Sequence, residues 1–281
     1  MRQVSKFAIS LVLLAAGCGS PRGTLGDADL ALNGASYPTE TVLTATTRAR
    51  SDNPSIFFSG ERAAELDFAQ VSVSVPPSHK PGNVEQASAS PDPRRSFATT
   101  QRRYVDNGQG FVSLINREIG RTDRQSDEIF LFVHGYNNTF AEGVYRTAQI
   151  RHDFDLPAVA VHYSWPSAAK PQLYVYDRDS AQYARDGLIE LLELLNRSKA
   201  RKIFVVGHSM GAFVLMETLR QARLSGKSHL FSRMSNVVLA SPDIDVDVFR
   251  EQVKGLRPDK PRMVVLVSSD DRALRFSERL R

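Results

Sequence analysis

From about residue 110 onward, the sequence alternates short, almost continuous apolar runs with longer stretches of helical spacing. Strands without polar alternation are typical of a sheet that is covered on both faces. The runs are IFLFV (129–133), AVAVHY (158–163), KIFVV (202–206), NVVLA (236–240) and RMVVLV (262–267). Because helical crossovers fit between them, the pattern predicts an α/β domain with a mostly parallel, doubly wound sheet.

Other segments complete this secondary structure. Residues 39–48 and 68–76 are rich in Val and Thr and predict two further strands, whereas residues 81–101 contain turn-forming residues and predict a loop. The helical spacing of residues 180–195 predicts one amphipathic helix with Ser180 as its N-cap. Its predicted core face consists of Tyr183, Gly187, Leu188, Leu191, Leu192 and Leu195.

The N-terminus, MRQVSKFAISLVLLAAGCGS, has the pattern of a secretory leader. Two cations precede an apolar run, 7–16, which is too short to span a bilayer. The ending LAAGC resembles a bacterial lipobox, in which cleavage before Cys18 leaves that residue to carry lipid. This predicts a lipoprotein signal peptide at 1–17, a flexible tether at 18–39 and one domain at 40–281. An ordinary signal peptide or a buried apolar strand are the alternatives.

Cysteine content and charge bear on compartment and partners. Cys18 is the only cysteine, so the chain can form no internal disulfide. Acyl chains on Cys18 would hold the protein on a membrane of the bacterial cell envelope, and Gly19 after it favours the outer over the inner membrane. The formal charge of +5 falls by the two charges of Arg2 and Lys6 when a leader is removed, and the remaining cations alternate with acids. Nucleic acid is therefore not an expected partner.

The stretch KIFVVGHSMGAFV places a serine between two glycines, where a predicted strand passes into a predicted helix. A G-x-S-x-G turn between strand and helix forces its serine to positive φ and leaves no room for side chains at the glycines, here Gly207 and Gly211. We expect Ser209 to be a nucleophile and the Met210 N–H, at the helix N-terminus, to face an oxyanion. The alternative is a Gly-Ser turn that only packs the helix closely on the strand.

A second turn, in IFLFVHGYNN, supports the first. In serine hydrolases that carry the G-x-S-x-G turn, an HG turn after an earlier strand exposes the next N–H, here that of Tyr136, as the second oxyanion donor. His134 precedes the serine and is expected to hold the turn by hydrogen bonds.

With both turns present, the chain resembles the alpha/beta-hydrolase family, in particular the bacterial branch known as domain of unknown function 900. The motifs that carry the resemblance are VHGYNNTF (133–140), VHYSWPS (161–167), YARDGL (183–188), VVGHSMGAFV (205–214), LASPDIDVDVF (239–249) and SSDDRALRFS (268–277). The resemblance implies an alpha/beta-hydrolase fold with antiparallel strands at its N-terminal side. It also implies that Asp271, with Asp270 in reserve, is the acid of the triad, whereas Asp243 and Asp245 are expected to cap a helix.

The family pattern would place a histidine after the acid, and this sequence has none there. Its histidines are His79, His134, His152, His162, His208 and His229. Three explanations remain: the domain is incomplete at its C-terminus and lacks the last strand, another histidine such as His162 substitutes, or the chain is a binding protein.

These observations predict a lipid-anchored serine hydrolase, esterase- or lipase-like, that forms an acyl-serine intermediate. A small-molecule or lipid ester is the expected substrate, and no metal or organic cofactor is implied. Trp165 follows a predicted strand and either lines the pocket or packs in the core. The alternative function is a non-catalytic envelope lipoprotein or binding module on the same scaffold.

Overall fold

The computed structural model describes residues 23–28, 36–85, 91–121, 127–258 and 261–267. The predicted signal peptide, Cys18, Asp270 and Asp271 lie outside these ranges. No helix within them combines the length and the apolar composition that crossing a membrane requires.

The described residues form eight strands and six α-helices. The strands are β1 (Thr39–Arg50), β2 (Phe58–Ser74), β3 (Ala98–Val105), β4 (Glu128–Val133), β5 (Ala158–Ser164), β6 (Lys202–His208), β7 (Met234–Ala240) and β8 (Met263–Leu266). The helices are α1 (Gly108–Arg121), α2 (Phe140–Asp153), α3 (Tyr174–Tyr183), α4 (Arg185–Arg197), α5 (Met210–Leu224) and α6 (Val246–Gly255). Short 3₁₀ turns occur at Pro171–Leu173 and Ser228–Phe231.

The strands form one mixed sheet in the order β3-β2-β1-β5-β4-β6-β7-β8. β2 pairs antiparallel with both of its neighbours, whereas every pairing from β1 to β8 is parallel. The prediction of a mostly parallel α/β sheet with antiparallel pairing on its N-terminal side is therefore confirmed. The carboxyl ends of β1, β4, β5, β6 and β7 meet at one edge, called the carboxyl edge below.

The apolar runs become strands because both faces of the sheet are covered. In β4, Ile129, Leu131 and Val133 pack beneath α1, α4 and α5, while Phe130 and Phe132 face α2. Burying both sets of side chains requires an apolar residue at every position of the strand. β8 differs because it is the last strand of the described sheet. Its residues Val264, Val265 and Leu266 are each more than a third exposed.

Two predicted boundaries on the N-terminal side are wrong. β2 starts at Phe58, ten residues before the predicted strand, and β3 starts at Ala98, inside the predicted loop. Residues 59–66 of β2 are exposed or half-buried, so no apolar alternation marks them in the sequence.

The predicted helix at 180–195 is two helices, α3 and α4, that meet at Ala184. Ser180 is not an N-cap: it is completely buried inside α3, and its Oγ accepts a hydrogen bond from Arg62 Nε at 3.0 Å. The Tyr163 hydroxyl donates to the carbonyl of Ala184, the residue between α3 and α4, at 2.5 Å. Because Tyr163 lies on β5, the break depends on a distant partner that helical spacing does not reveal.

Part of the predicted tether is docked on the domain. Leu25 is 1% exposed and lies in the cluster beneath α2. The N–H of Gly26 donates to the Tyr145 hydroxyl at 3.1 Å, and Asp27 pairs with Arg102. For residues 23–28, the prediction of a flexible tether is wrong, because an apolar side chain and backbone hydrogen bonds anchor them.

Candidate active site

The turn from β6 to α5 places Ser209 at the carboxyl edge in a strained conformation. Its φ is 52° and its ψ is −122°, a combination that few residues with a side chain adopt. The Ser209 N–H donates to the Ala240 carbonyl at 2.9 Å, which fixes the turn to the end of β7. The side chain is half-buried and makes no capping hydrogen bond to the N-terminus of α5, although Ser209 stands at the N-cap position.

Both glycines of the turn are required by close backbone contacts. A Cβ on Gly211 would lie 2.3 Å from the His134 carbonyl oxygen, and a Cβ on Gly207 would lie 2.9 Å from the Ala212 Cα. Since these neighbours are backbone atoms, side chains at the two positions would displace α5 from the sheet.

Two backbone N–H groups lie beside Ser209. Met210 is the first residue of α5, where N–H groups have no partner within the helix. The HG turn lies directly against the serine, because a Cβ on Gly135 would be 3.0 Å from the Ser209 Cβ. Among the described residues, neither the Met210 N–H nor the Tyr136 N–H has a hydrogen-bond acceptor. The arrangement of serine and donors is thus able to bind an oxyanion.

The fold and this turn agree with the comparison of the chain with known families. The family model described as alpha/beta hydrolase of unknown function (DUF900) matches residues 113–281, more than half of the chain. The chain belongs to this family. No curated protein and no solved structure matches it. The matched range contains β4, β6 and the whole serine turn of the hydrolase, whereas β1 lies outside it.

His134 of this alpha/beta hydrolase holds the HG turn, as expected. The residue is 1% exposed, its Nδ1 lies 2.8 Å from the Gly135 carbonyl oxygen, and its Nε2 lies 3.0 Å from that of Trp165. Burial first, and then the charge of Arg48, lower its pKa to about 3. A neutral, enclosed imidazole of this kind positions the backbone and does not meet a substrate.

His162, one of the three explanations for the missing histidine, is not placed to act as a base. It is completely buried, and its ring lies over Gly143 of α2, where an added Cβ would be 2.3 Å from Cε1. Burial lowers its pKa well below the usual value, and neither ring nitrogen has a partner among the described residues. The described ranges also contain no group of three or more His, Cys, Asp or Glu side chains suited to a metal ion.

The two aspartates after β7 have different surroundings. Asp245 is the N-cap of α6 and accepts from the N–H groups of Asp247 and Val248, as expected. Asp243 does not cap the helix. It is 3% exposed, its N–H donates to the Ser209 carbonyl at 3.2 Å, and its carboxylate accepts from the Tyr174 hydroxyl at 2.9 Å.

Trp165 belongs to the core. It is completely buried, its ring stacks on His134 with centroids 4.9 Å apart, and its indole N–H donates to the His134 carbonyl at 2.7 Å. Of the two sequence-based alternatives for this residue, core packing is correct.

The β4–α2 loop, residues 134–139, carries contacts that the sequence analysis missed. Thr139 and Glu142 form a capping box that starts α2, and the T-x-x-E spacing could have revealed it. Arg48 and Asp177, both buried, hydrogen-bond to the loop from β1 and α3. The signal for Arg48 is weak: it is the one charged residue in the continuous buried run 42–48 of β1.

Proposed function

We propose that the protein is a serine hydrolase that cleaves ester or related acyl bonds through an acyl-Ser209 intermediate. The observation that carries the proposal is the strained backbone of Ser209 beside two N–H groups, those of Met210 and Tyr136, that have no acceptor within the described part of the chain. Strain of this kind costs free energy and is concentrated at functional sites. The N-terminus of α5 adds a partial positive charge where a tetrahedral oxyanion would form.

In the reaction, Ser209 Oγ attacks the acyl carbon, loses its proton to a base and forms the new C–O bond. The leaving alcohol departs with a proton, and water then hydrolyses the acyl-serine and restores the hydroxyl. The Met210 and Tyr136 N–H groups would stabilise the oxyanion in both steps. No metal or organic cofactor takes part.

The proposal gives Asp271, with Asp270 in reserve, the role of the acid that orients the base. Both lie outside the described residues. Within those residues the buried His134 and His162 are unsuitable as bases, since neither has an exposed ring.

Apolar side chains near the serine favour an apolar ester as the substrate. Tyr174, which binds Asp243 beside Ser209, is flanked by Leu173 and Val175, which are 40% and 73% exposed. After Asp243, Val246 and Val248 at the start of α6 are 62% and 44% exposed. Exposed apolar side chains on the two segments that contact each other through Tyr174 and Asp243 favour binding of an acyl chain over binding of a charged substrate.

A fluorophosphonate probe tests the nucleophile, because an activated serine displaces its fluoride and keeps the phosphonyl group. We expect the wild-type protein to be labelled, Ser209→Ala to be unlabelled, and ester hydrolysis by that variant to fall on the order of 10⁶-fold. Ser241→Ala is the matched control, because Ser241 is also half-buried, with φ of 46°, at the end of β7. Mass spectrometry of the labelled peptide identifies the site.

Equal labelling of the wild type and Ser209→Ala would remove the assignment of the nucleophile. A folded wild-type protein that is neither labelled nor active would instead support the alternative, a non-catalytic envelope module that keeps the turn as architecture.

We further propose that lipid on Cys18 anchors the protein in the bacterial cell envelope, in the outer membrane in preference to the inner. Two or three acyl chains give firm attachment, since each buried methylene contributes about 0.8 kcal/mol. Cys18→Ser should move the protein from the membrane fraction to the soluble fraction after cell breakage. Sedimentation of this variant with membranes, as for the wild type, would contradict the anchor.

A further inference from the structure

Arg48, at the carboxyl end of β1, is a buried cation. It is 1% exposed and lies outside the range that the family model matches. Burial lowers its pKa to about 10, against the charge of Asp177, which raises it, so the guanidinium stays charged at neutral pH. A charge is tolerated in the interior only where hydrogen bonds replace its hydration. Its acceptors therefore show which parts of the structure it joins.

The close acceptors of Arg48 are oxygen atoms from three separate segments. Nη2 donates to the Asn138 carbonyl, in the β4–α2 loop, at 2.8 Å. Nη1 donates to the Ser167 carbonyl at 2.9 Å and to the Ser59 carbonyl at 3.0 Å, and Nε donates to Ser164 Oγ at 2.9 Å. One side chain thus ties the β4–α2 loop to β2 and to the segment around the end of β5.

Asp177, on α3, binds the same loop from another side. It is completely buried, and its Oδ2 accepts from the Asn137 N–H at 3.2 Å and from Ser167 Oγ at 2.5 Å. Its Oδ1 accepts from the Ala168 N–H at 2.7 Å. Ser167 Oγ in turn accepts from the Asn138 N–H at 3.2 Å, so the same serine serves both charged residues.

The polar groups that are held in this way directly follow Tyr136: the Asn137 N–H, the Asn138 N–H and the Asn138 carbonyl. We propose that Arg48 and Asp177 are positioning residues that hold the Tyr136 N–H where it donates to the oxyanion. The inference rests on the proposed function, because it gives this loop a task only if Ser209 forms a tetrahedral intermediate.

The β4–α2 loop needs such positioning residues because of its own structure. Residues 134–139 belong to no strand or helix, and Asn137 has a φ of 56°, so no regular ladder fixes the donor. A preorganised donor stabilises an oxyanion only if it does not move during the reaction, and a displacement of about 1 Å costs on the order of 100-fold in rate. The charge of Arg48 also offsets that of Asp177, which alone would disfavour a developing negative charge nearby.

The test measures the rate of phosphonylation of Ser209 and resolves it into the maximal rate constant, kinact, and the concentration dependence, KI. In Arg48→Met and in Asp177→Asn, we expect kinact to fall about 10- to 100-fold with KI within about threefold, because the donor acts in the transition state. Arg151→Met is the matched control. Arg151 is partly buried and, like Arg48, donates to a backbone carbonyl, that of Ala158 at 2.9 Å. Because Ala158 is at the opposite end of β5, kinact should stay within about twofold.

A second variant separates positioning from stability. Removing one of two buried opposite charges leaves the other uncompensated and is expected to destabilise the fold, whereas Arg48→Met with Asp177→Asn removes both. The double variant should therefore be more stable than either single variant and yet remain as slow. Amide hydrogen exchange of residues 135–138 should be faster in all three variants.

The outcomes distinguish this inference from the proposed function. If the wild type is labelled and the folded single variants have the same kinact, the positioning role alone is overturned. Recovery of both kinact and stability in the double variant would overturn it as well. A wild-type protein that is not labelled at Ser209 would overturn the proposed function and this role with it.

Discussion

The two edges of the parallel part of the sheet handle charged side chains in opposite ways. At the carboxyl edge, Arg48 and Asp177 are almost completely buried and bind mainly backbone groups and serine hydroxyls. At the opposite edge, called the amino edge here, acidic and basic side chains pair directly with one another and are less completely buried than Arg48 and Asp177.

The amino edge contains two neighbouring groups of contacts between acidic and basic side chains. Glu40, near the start of β1, accepts from Arg151 and lies 3.2 Å from His152 Nδ1 at the end of α2. His79 lies between two carboxylates, with Nδ1 2.8 Å from Glu85 Oε2 and Nε2 2.6 Å from Asp153 Oδ1. These contacts join the loop after β2 to the C-terminal end of α2.

The pKa values of the buried histidines are lowered at the carboxyl edge, whereas at the amino edge burial lowers the pKa of His152 and the pKa of His79 is raised. At the carboxyl edge, burial keeps His134 and His162 neutral by lowering their pKa. At the amino edge, burial also acts to lower the pKa of His79, but the hydrogen bonds from its ring to Glu85 and Asp153 outweigh it and raise the pKa. The comparison shows that the carboxyl edge holds a loop with buried charges beside neutral histidines, whereas the amino edge contains one histidine, His79, whose charged form is stabilised by two carboxylates.

The largest expected effect is loss of stability in acid, caused by the two buried histidines at the carboxyl edge. Below pH 6.5, His134 and His162 are protonated in the unfolded chain and neutral in the folded one, so the free energy of unfolding falls as the pH falls. For His134 this continues towards its folded pKa of about 3. Each group contributes up to about 1.4 kcal/mol per pH unit, or about 2.7 kcal/mol together. Urea unfolding measured at pH 7, 6 and 5 gives this slope.

His162→Leu should halve the part of the acid slope that comes from the two buried histidines and leave the protein at least as stable at pH 7.5, because it removes two ring nitrogens without partners. His229→Leu, at an exposed site on the 3₁₀ turn Ser228–Phe231, is the control for removal of any histidine. Identical slopes for the wild type and His162→Leu would show that burial does not keep His162 neutral in the folded protein.

The smaller expected effect lies on the alkaline side and belongs to the amino edge. Because the pKa of His79 is raised in the folded state, its stabilisation is complete below pH 6.5 and is lost as the pH rises through the folded pKa. His79→Gln should lower the free energy of unfolding by about 1.5 kcal/mol at pH 6, the contribution of a hydrogen bond to a charged group, and by less at pH 9. Thermal and urea unfolding at both pH values measure the difference.

His229→Gln serves as the exposed control for this variant too. A deficit of His79→Gln that is equal at pH 6 and pH 9 would mean that the ring packs against Phe97 without carrying charge, and the contrast between the edges would disappear.

The elements that sequence patterns predicted well are those whose burial is symmetrical or whose geometry is local. β4 and β5 are apolar at nearly every position because both of their faces are covered, so their bounds lie within one residue of the predicted runs. The turn at Ser209 was predictable because Gly207 and Gly211 exclude side chains over only five residues.

The elements that the patterns missed depend on partners far away in the chain. The end of α3 at Ala184 coincides with a hydrogen bond from Tyr163, and the docking of Leu25 depends on the N–H of Gly26 reaching Tyr145. Arg48 likewise depends on a distant partner, since its acceptor Asn138 is 90 residues away. A local pattern carries no information on such pairs.

The sequence by itself determined the α/β class, the mostly parallel sheet of β4 to β8 and the strained serine turn, because each follows from side-chain size and apolarity within a few neighbouring residues. The parallel pairing of β1 with β5 was not predicted. Only the tertiary structure decided that His162 is enclosed, that Trp165 is core, and that two buried charges hold the loop after β4. Those outcomes depend on which segments the folded sheet brings together, and desolvation and hydrogen bonding act on that arrangement, not on the order of residues.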